Sequence, residues 1–302
     1  PQSLQRTIQP HIQPDPINPG YRQIHLAEEV VPASLREDLL NGTIKRIFFI
    51  GQGTAGVAAK ACTSLLVHYL NKPGLQVDAV KSSELSGFML AGDDLHGTSE
   101  DLMDTLVIAI SQSGTTTDTN RTVDMVRERG ARTLAIVNRR DSDLTFKVDG
   151  VLYTSSGRDI EMSVASTKAF YSQIVAGALL SLFLAGLKGR RDDAFITREL
   201  QQLLALPDQM RRVIAMQETI AASARRLAVT KTYWAAVGSG PNKASADEIR
   251  IKLSELCYKT ISSDYVEDKK HIDLSSEPLI IVCAAGCRGT VIGDIIKDTA
   301  IF

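Results

Sequence analysis

Apolar residues fall along the chain in short runs, each followed by a longer stretch in which they recur at helical spacing. The runs at Arg46 to Ile50, Gln76 to Ala79, Thr105 to Ile110, Thr133 to Val137 and Val151 to Thr154 predict strands. The longer stretches predict helices over about Pro32 to Leu40, Ala55 to Leu70, Thr117 to Arg129 and Ser166 to Leu187. The last of these holds the longest apolar segment, Ala169 to Leu187, and its Tyr171, Ser172, Gln173 and Ser181 identify it as a buried helix and not a membrane span. Strands alternating with helices imply a parallel sheet covered on both faces, the α/β class. The opening, with Pro10, Pro14, Pro16 and Pro19, predicts an extended N-terminal arm over residues 1–30, ahead of a first domain over 31–190.

Residues 191–230 are polar with Leu, Ile and Met at helical spacing and predict a helical connector. The theme then restarts: "WAAVGSGPN", Trp234 to Asn242, echoes "FFIGQGTAG", Phe48 to Gly56, as an apolar strand, a Gly-x-Gly turn and a helix. The separation is too long for a solenoid repeat and suits a duplicated domain, of which residues 231–302 supply only part.

Composition narrows the function classes. The 302 residues carry 34 basic and 35 acidic side chains, a formal net charge of −1, with 44% hydrophobic residues. This is a globular chain long enough for two domains. No Lys/Arg-rich block is present, so neither nucleic acid nor an anionic membrane is the expected partner. Cys62, Cys257, Cys283 and Cys287 lack the paired spacing of a metal site and suit a reducing cytoplasm. No signal-peptide pattern opens the sequence. Because it begins at Pro1 and ends at Phe302 within a helical pattern, it is expected to be a piece of a longer chain.

Three polar segments interrupt the pattern where ligands bind in parallel sheets, just beyond strand ends. "SQSGTT", Ser111 to Thr116, offers Ser111, Ser113, Thr115 and Thr116 as hydroxyl donors beside a glycine, at the start of a helix whose amide end attracts anions. A phosphate is the natural guest, and the missing Walker lysine argues against nucleoside triphosphate hydrolysis. The bland alternative is that Ser113 or Thr117 caps the helix. "GQGTAG", Gly51 to Gly56, fits a dinucleotide fingerprint with Asp78 as its acidic partner, or merely a tight strand-to-helix turn. "EMSVASTKAF", Glu161 to Phe170, is on its own an ordinary helix cap.

Taken in order, "GQGTAG", "SSEL", "ISQSGTTTDT" and "VASTKAF" resemble the sugar isomerase (SIS) domain, and in particular the isomerase half of the glutamine–fructose-6-phosphate aminotransferase (glucosamine-6-phosphate synthase) family. The resemblance is strong from Phe48 to Phe170 and weaker to about Cys283. It implies tandem doubly wound parallel-sheet SIS domains of flavodoxin-like type, the second incomplete. It also implies contacts to a hexose 6-phosphate from Thr54, Ser111, Gln112, Ser113, Thr116, Val164 and Ser166. Ala55 stands where the family usually has a phosphate-binding serine, and Thr115 where it has a glutamate.

"EIRIKLSELCYKT", Glu248 to Thr260, resembles the family's catalytic helix, with Glu248, Lys252 and Glu255 on one face. The resemblance implies Glu255 as the proton shuttle between C1 and C2, Lys252 as its electrostatic partner, Glu248 as a weaker candidate and His271 as the ring-opening group. The bland alternative is a solvated salt-bridge pair and a histidine in a charged loop, "VEDKKHID". The resemblance further implies fructose 6-phosphate as substrate and glucosamine 6-phosphate as product, no metal or organic cofactor, a glutaminase domain elsewhere in the intact chain, and a homodimer. Other readings are a phosphosugar isomerase, a glucosamine-6-phosphate deaminase, a sugar-phosphate sensing module and, last, a dinucleotide-binding dehydrogenase.

Overall fold

The computed structural model describes residues 1–302 except 72–73, 91–100, 158, 160–164, 272–276 and 301–302, and describes only the backbone at 270 and 271. The chain divides into two compact units, Pro1–Met210 and Arg211–Phe302.

The first unit opens with α1 (Gln2–Ile8), a 3-10 turn and an antiparallel pair, β1 (Ile12–Pro14) and β2 (Arg22–Ile24). The expected extended arm is thus corrected. Leu4 and Ile8, one turn apart, are buried with Val175, and Ile12, Leu203 and Met210 pack on the same cluster. That burial precedes Pro10, so no proline interrupts the helix, and the later prolines border the β1–β2 turn. There the Asp15 carboxylate accepts the amides of Ile17 and Asn18 at 2.8 and 2.9 Å.

After α2 (Ala33–Leu40) the chain alternates: β3 (Arg46–Gly51), α3 (Thr54–Leu70), β4 (Gln76–Lys81), a short turn α4 (Ser82–Glu84), β5 (Thr105–Ser111), α5 (Thr117–Glu128), β6 (Arg132–Val137), α6 (Asp143–Lys147), β7 (Gly150–Tyr153) and α7 (Lys168–Leu187). The predicted strands and helices are all present, within a few residues at their ends. The five strands are parallel in the order β4-β3-β5-β6-β7. Central β5 is buried along its whole length, as a strand covered on both faces must be. On one face Phe48, Ile50, Val107, Ala109 and Val137 pack with Val123, Val126 and Leu144.

Helix α7 is long and apolar enough to cross a membrane, yet most of it is buried within the protein. It lies against α3 so closely that a Cβ on Gly177 would overlap the Cys62 sulfur, which explains the small residues at that crossing. Two further helices follow, α8 (Asp193–Ala215) and α9 (Gln217–Leu227), over the predicted connector.

Counting from β3, the sheet order is 2-1-3-4-5. The chain moves to one side of β3 to make β4 and to the other side to make β5. Helices therefore diverge between β3 and β5, and the carboxyl ends of these two strands border the crevice of a flavodoxin-like sheet.

The second unit contains β8 (Trp234–Gly238), α10 (Asn242–Cys257), β9 (Ile261–Asp264), β10 (Leu279–Cys283) and α11 (Thr290–Ala300). Its described strands are parallel in the order β10-β8-β9, the arrangement of β5-β3-β4 in the first unit. The echo extends to backbone geometry. Gly53 and Gly240 both have φ of 57°. A Cβ on Gly51 would lie 2.7 Å from the Ala55 carbonyl, and one on Gly238 would overlap the carbonyl of Asn242, four residues on in each case. Each strand runs straight under its helix, which only glycine permits.

Candidate functional site

Ser111 closes β5 and is 3% exposed. Its Oγ accepts the Gly114 amide at 3.0 Å, which curls the loop back on the strand end. Gly114 has φ of +68°, and a Cβ there would lie 2.7 Å from the Cβ of Ser142. The Gly114 carbonyl accepts the Leu144 amide and the Asn120 carboxamide, both at 3.0 Å, and Asn120 also reaches the Thr116 carbonyl at 3.1 Å. The loop is held from β6–α6 on one side and from α5 on the other.

Within it the hydroxyls are arranged as donors. Ser113 Oγ accepts from the Thr115 amide at 3.2 Å and from the Thr115 hydroxyl at 2.9 Å, so its lone pairs are engaged and its own hydrogen is left to give. Ser111 is in the same position, with its oxygen taken by Gly114 and no acceptor for its hydrogen among the described residues. Thr116 occupies the N-cap of α5 without making a side-chain cap bond. The capping alternative therefore fails. Uncapped first-turn amides together with hydroxyl hydrogens that have no described acceptor make a neutral cradle that suits an anion. Thr115 supplies the bonds that orient Ser113.

On the other side of the switch point, Gly53 is the N-cap of α3 and has no side chain to cap it. Thr54 opens α3 half-buried, and Ala55 sits in the first turn with its carbonyl pressed against Gly51. Between the glycines, Gln52 donates from Nε2 to Ser83 Oγ at 3.0 Å, tying this turn to "SSEL" at the end of β4. Asp78 does not serve a dinucleotide: it lies mid-strand in register with Phe48, and Lys81 ends β4. An acidic side chain on the strand body cannot reach a ribose beyond the strand's end.

Ser166 is half-buried ahead of α7, and its Oγ finds no partner among the described residues. Thr167 at the N-cap makes no side-chain cap bond, so the expected cap is corrected here as well. Val164 lies outside the described residues. Gln52, Asn120 and Ser142 were not among the predicted site residues. Gln52 occupies the variable position of a Gly-x-Gly turn, and the other two act only by holding Gly114, so no sequence pattern marks them.

In the second unit, α10 brings together the three predicted ionisable residues. Lys252 Nζ donates to Glu255 Oε2 at 2.6 Å and lies 3.8 Å from Glu248 Oε1. The side chains of Glu248 and Lys252 are 9% and 15% exposed, whereas Glu255 is 42% exposed. A solvated surface pair would leave all three open. Here a mostly buried lysine is balanced by two carboxylates, of which Glu255 is the more open to solvent. The 3-10 turn Glu267–His271 carries the predicted histidine at its end, with its side chain outside the description. Ser239, in the second glycine turn, donates to Glu267 Oε2 at 2.9 Å and accepts the Val266 amide at 3.2 Å.

Comparison with known proteins agrees with this fold. Residues 43–182 match the SIS domain family model. The glutamine–fructose-6-phosphate aminotransferase [isomerizing] of Mycolicibacterium smegmatis is 39% identical over 182 residues, covering 59% of this chain and 28% of that protein. The Streptomyces coelicolor protein of the same name is 37% identical over 188 residues, covering 61% and 30%. The chain thus spans less than a third of the length of these curated relatives. Among solved structures, the C-terminal domain of glucosamine-fructose-6-phosphate aminotransferase from Francisella tularensis superposes with a TM-score of 0.81 at 21% identity, covering 99% of this chain and 76% of that one. A glucosamine-6-phosphate deaminase from Thermotoga maritima gives 0.64 at 14% identity, covering 88% and 80%. These structural likenesses establish a shared fold, and within it residues 43–182 are the stretch similar to the SIS domain family.

Proposed function

We propose that the first unit binds the phosphate and hydroxyls of a hexose 6-phosphate, and that the longer protein converts fructose 6-phosphate to glucosamine 6-phosphate. The observation that carries this reading is the placement of the Ser111–Thr116 donor loop and the Gly51–Thr54 turn on the two sides of one switch point. Phosphate meets the α5 amides with Ser111, Ser113 and Thr116. Thr54, Gln112 and Ser166 face the sugar, with Val164 assigned to it on the resemblance alone. The chemistry requires moving a proton between C1 and C2 and opening the ring. Glu255 is the proton shuttle, because it is the solvent-reaching carboxylate of its cluster. Lys252 steadies its charge and Glu248 balances Lys252. His271 assists ring opening. A glutaminase domain elsewhere in the intact chain supplies ammonia, and two copies of the protein associate.

Calorimetric titration of the chain with fructose 6-phosphate, glucosamine 6-phosphate, unphosphorylated fructose and NAD tests the binding half. Saturable binding confined to the phosphosugars is expected, and binding of NAD alone overturns the reading. For the catalytic half, Glu255→Gln in the full-length enzyme should abolish isomerisation with sugar-phosphate affinity nearly unchanged. Loss of binding in step with activity removes that role from Glu255.

A further inference from the structure

The cradle accounts for an anion, but the residues that directly follow β3 and β5 also carry polar groups that an anion does not satisfy. Gln52 Oε1 and Gln112 Oε1 are both shielded from solvent, and neither has a hydrogen-bond partner among the described residues. Gln112 directly follows β5 and Gln52 directly follows β3, so the two carboxamides flank the switch point. A carbonyl oxygen left unpaired in a buried setting is costly, and phosphate oxygens, being acceptors themselves, do not relieve it.

Gln112 belongs to the hydroxyl-loop motif, whereas Gln52 fills the variable position of the Gly-x-Gly turn. Its Nε2 is fixed by Ser83 at 3.0 Å, which anchors one end of the carboxamide and leaves the oxygen at the other end without a described partner. If the carboxamide is turned over, the oxygen accepts from Ser83 and the amide nitrogen faces the ligand instead. A hydroxyl, both donor and acceptor, satisfies either orientation. Resting on the binding reading above, we infer that Gln52 is a specificity-determining residue that hydrogen-bonds one sugar hydroxyl of the phosphorylated ligand, with Ser83 holding it in place. Phosphate affinity resides in the α5 loop, and discrimination in favour of a polyhydroxy ligand resides in part at Gln52.

The test titrates the 302-residue chain, Gln52→Ala and the volume-keeping Gln52→Met with fructose 6-phosphate, inorganic phosphate and a set of monodeoxy hexose 6-phosphates. Both variants should bind fructose 6-phosphate about three- to tenfold more weakly, the range of one neutral hydrogen bond, with inorganic phosphate affinity unchanged. One monodeoxy compound should bind the parent more weakly by the same factor, and the variants should make no further distinction against it. Unchanged fructose 6-phosphate affinity, or an equal loss for inorganic phosphate, overturns the inference and leaves the binding reading standing. A parent chain that binds no hexose 6-phosphate overturns both.

Discussion

Ser111 and Ser113 sit two residues apart in one loop, and the structure assigns them different burdens. Ser111 Oγ is the acceptor for a buried amide, that of Gly114, whereas Ser113 Oγ receives bonds only from its exposed neighbour Thr115. Ser111→Ala strands the Gly114 amide, at a cost of about 1–3 kcal/mol. For a unit of this size that lowers the unfolding midpoint by roughly 2–10 °C. Ser113→Ala strands nothing buried and should stay within about 0.5 kcal/mol of the parent. Each variant also removes a hydroxyl donor to a charged phosphate, worth about 1.5–3 kcal/mol, so the dissociation constant for a hexose 6-phosphate should rise roughly 10- to 100-fold in both. Thermal unfolding and calorimetric titration of the two variants give the four numbers. Equal stability losses, or a Ser113→Ala chain that binds as the parent does, would refute the division of roles.

Gly114→Ala should destabilise by about 2–4 kcal/mol, since the left-handed backbone alone costs about 1–2 kcal/mol and the new Cβ crowds Ser142. Pairing it with Ser142→Gly should recover the steric share in a urea titration; no recovery would mean that the overlap is not the cause. Burial pushes the Asp104 carboxyl up, but hydrogen bonds from Arg46 and Thr105 and the nearby positive charges outweigh this and hold it below its ordinary 3.8. A carboxyl lowered on folding stabilises fully above its unfolded value, and that stability is lost as pH falls through the folded value. The stability gap between the parent and Asp104→Asn should therefore be widest near neutrality and close in acid below pH 3.8, and a gap that persists there counts against the ion pair. Burial raises the Cys62 thiol to about 12, so a disulfide reagent at pH 8 should label exposed Cys257 and reach Cys62 only on unfolding. Labelling of Cys62 in the folded protein would show that the α3–α7 contact opens.

The strands and helices of both glycine-turn segments were legible in the sequence because each expresses a local period: near-continuous apolar runs for strands buried on two faces, helical recurrence between them. The hydroxyl loop was legible as a candidate anion site for a related reason, since a cluster of hydroxyls with a glycine after a strand has a meaning confined to its own six residues. Local pattern failed where long-range burial decided. Leu4 and Ile8 fold into α1 because α7 and α8 offer them an apolar surface, and nothing within the first ten residues announces that surface.

The same limit governs the site. Sequence identified Ser111, Ser113 and Thr116 as hydroxyls near a helix start, but whether they cap the helix or face a ligand depends on where their lone pairs go. Bonds to Gly114, Thr115 and Asn120, whose geometry only the folded loop defines, take the cap out of consideration. The glycine fingerprint and Asp78 read alike for a dinucleotide until strand register put Asp78 beside Phe48. The sequence by itself determined the order of elements, the duplication and the residue types of the cradle, all of which are encoded at short range. Only the tertiary structure decided the order β4-β3-β5 that opens the switch point, the contact of Gln52 with Ser83, and the burial of Lys252 beside two carboxylates. Those features join residues far apart in the chain or depend on what surrounds them, and their free energies come from packing that a linear pattern does not carry.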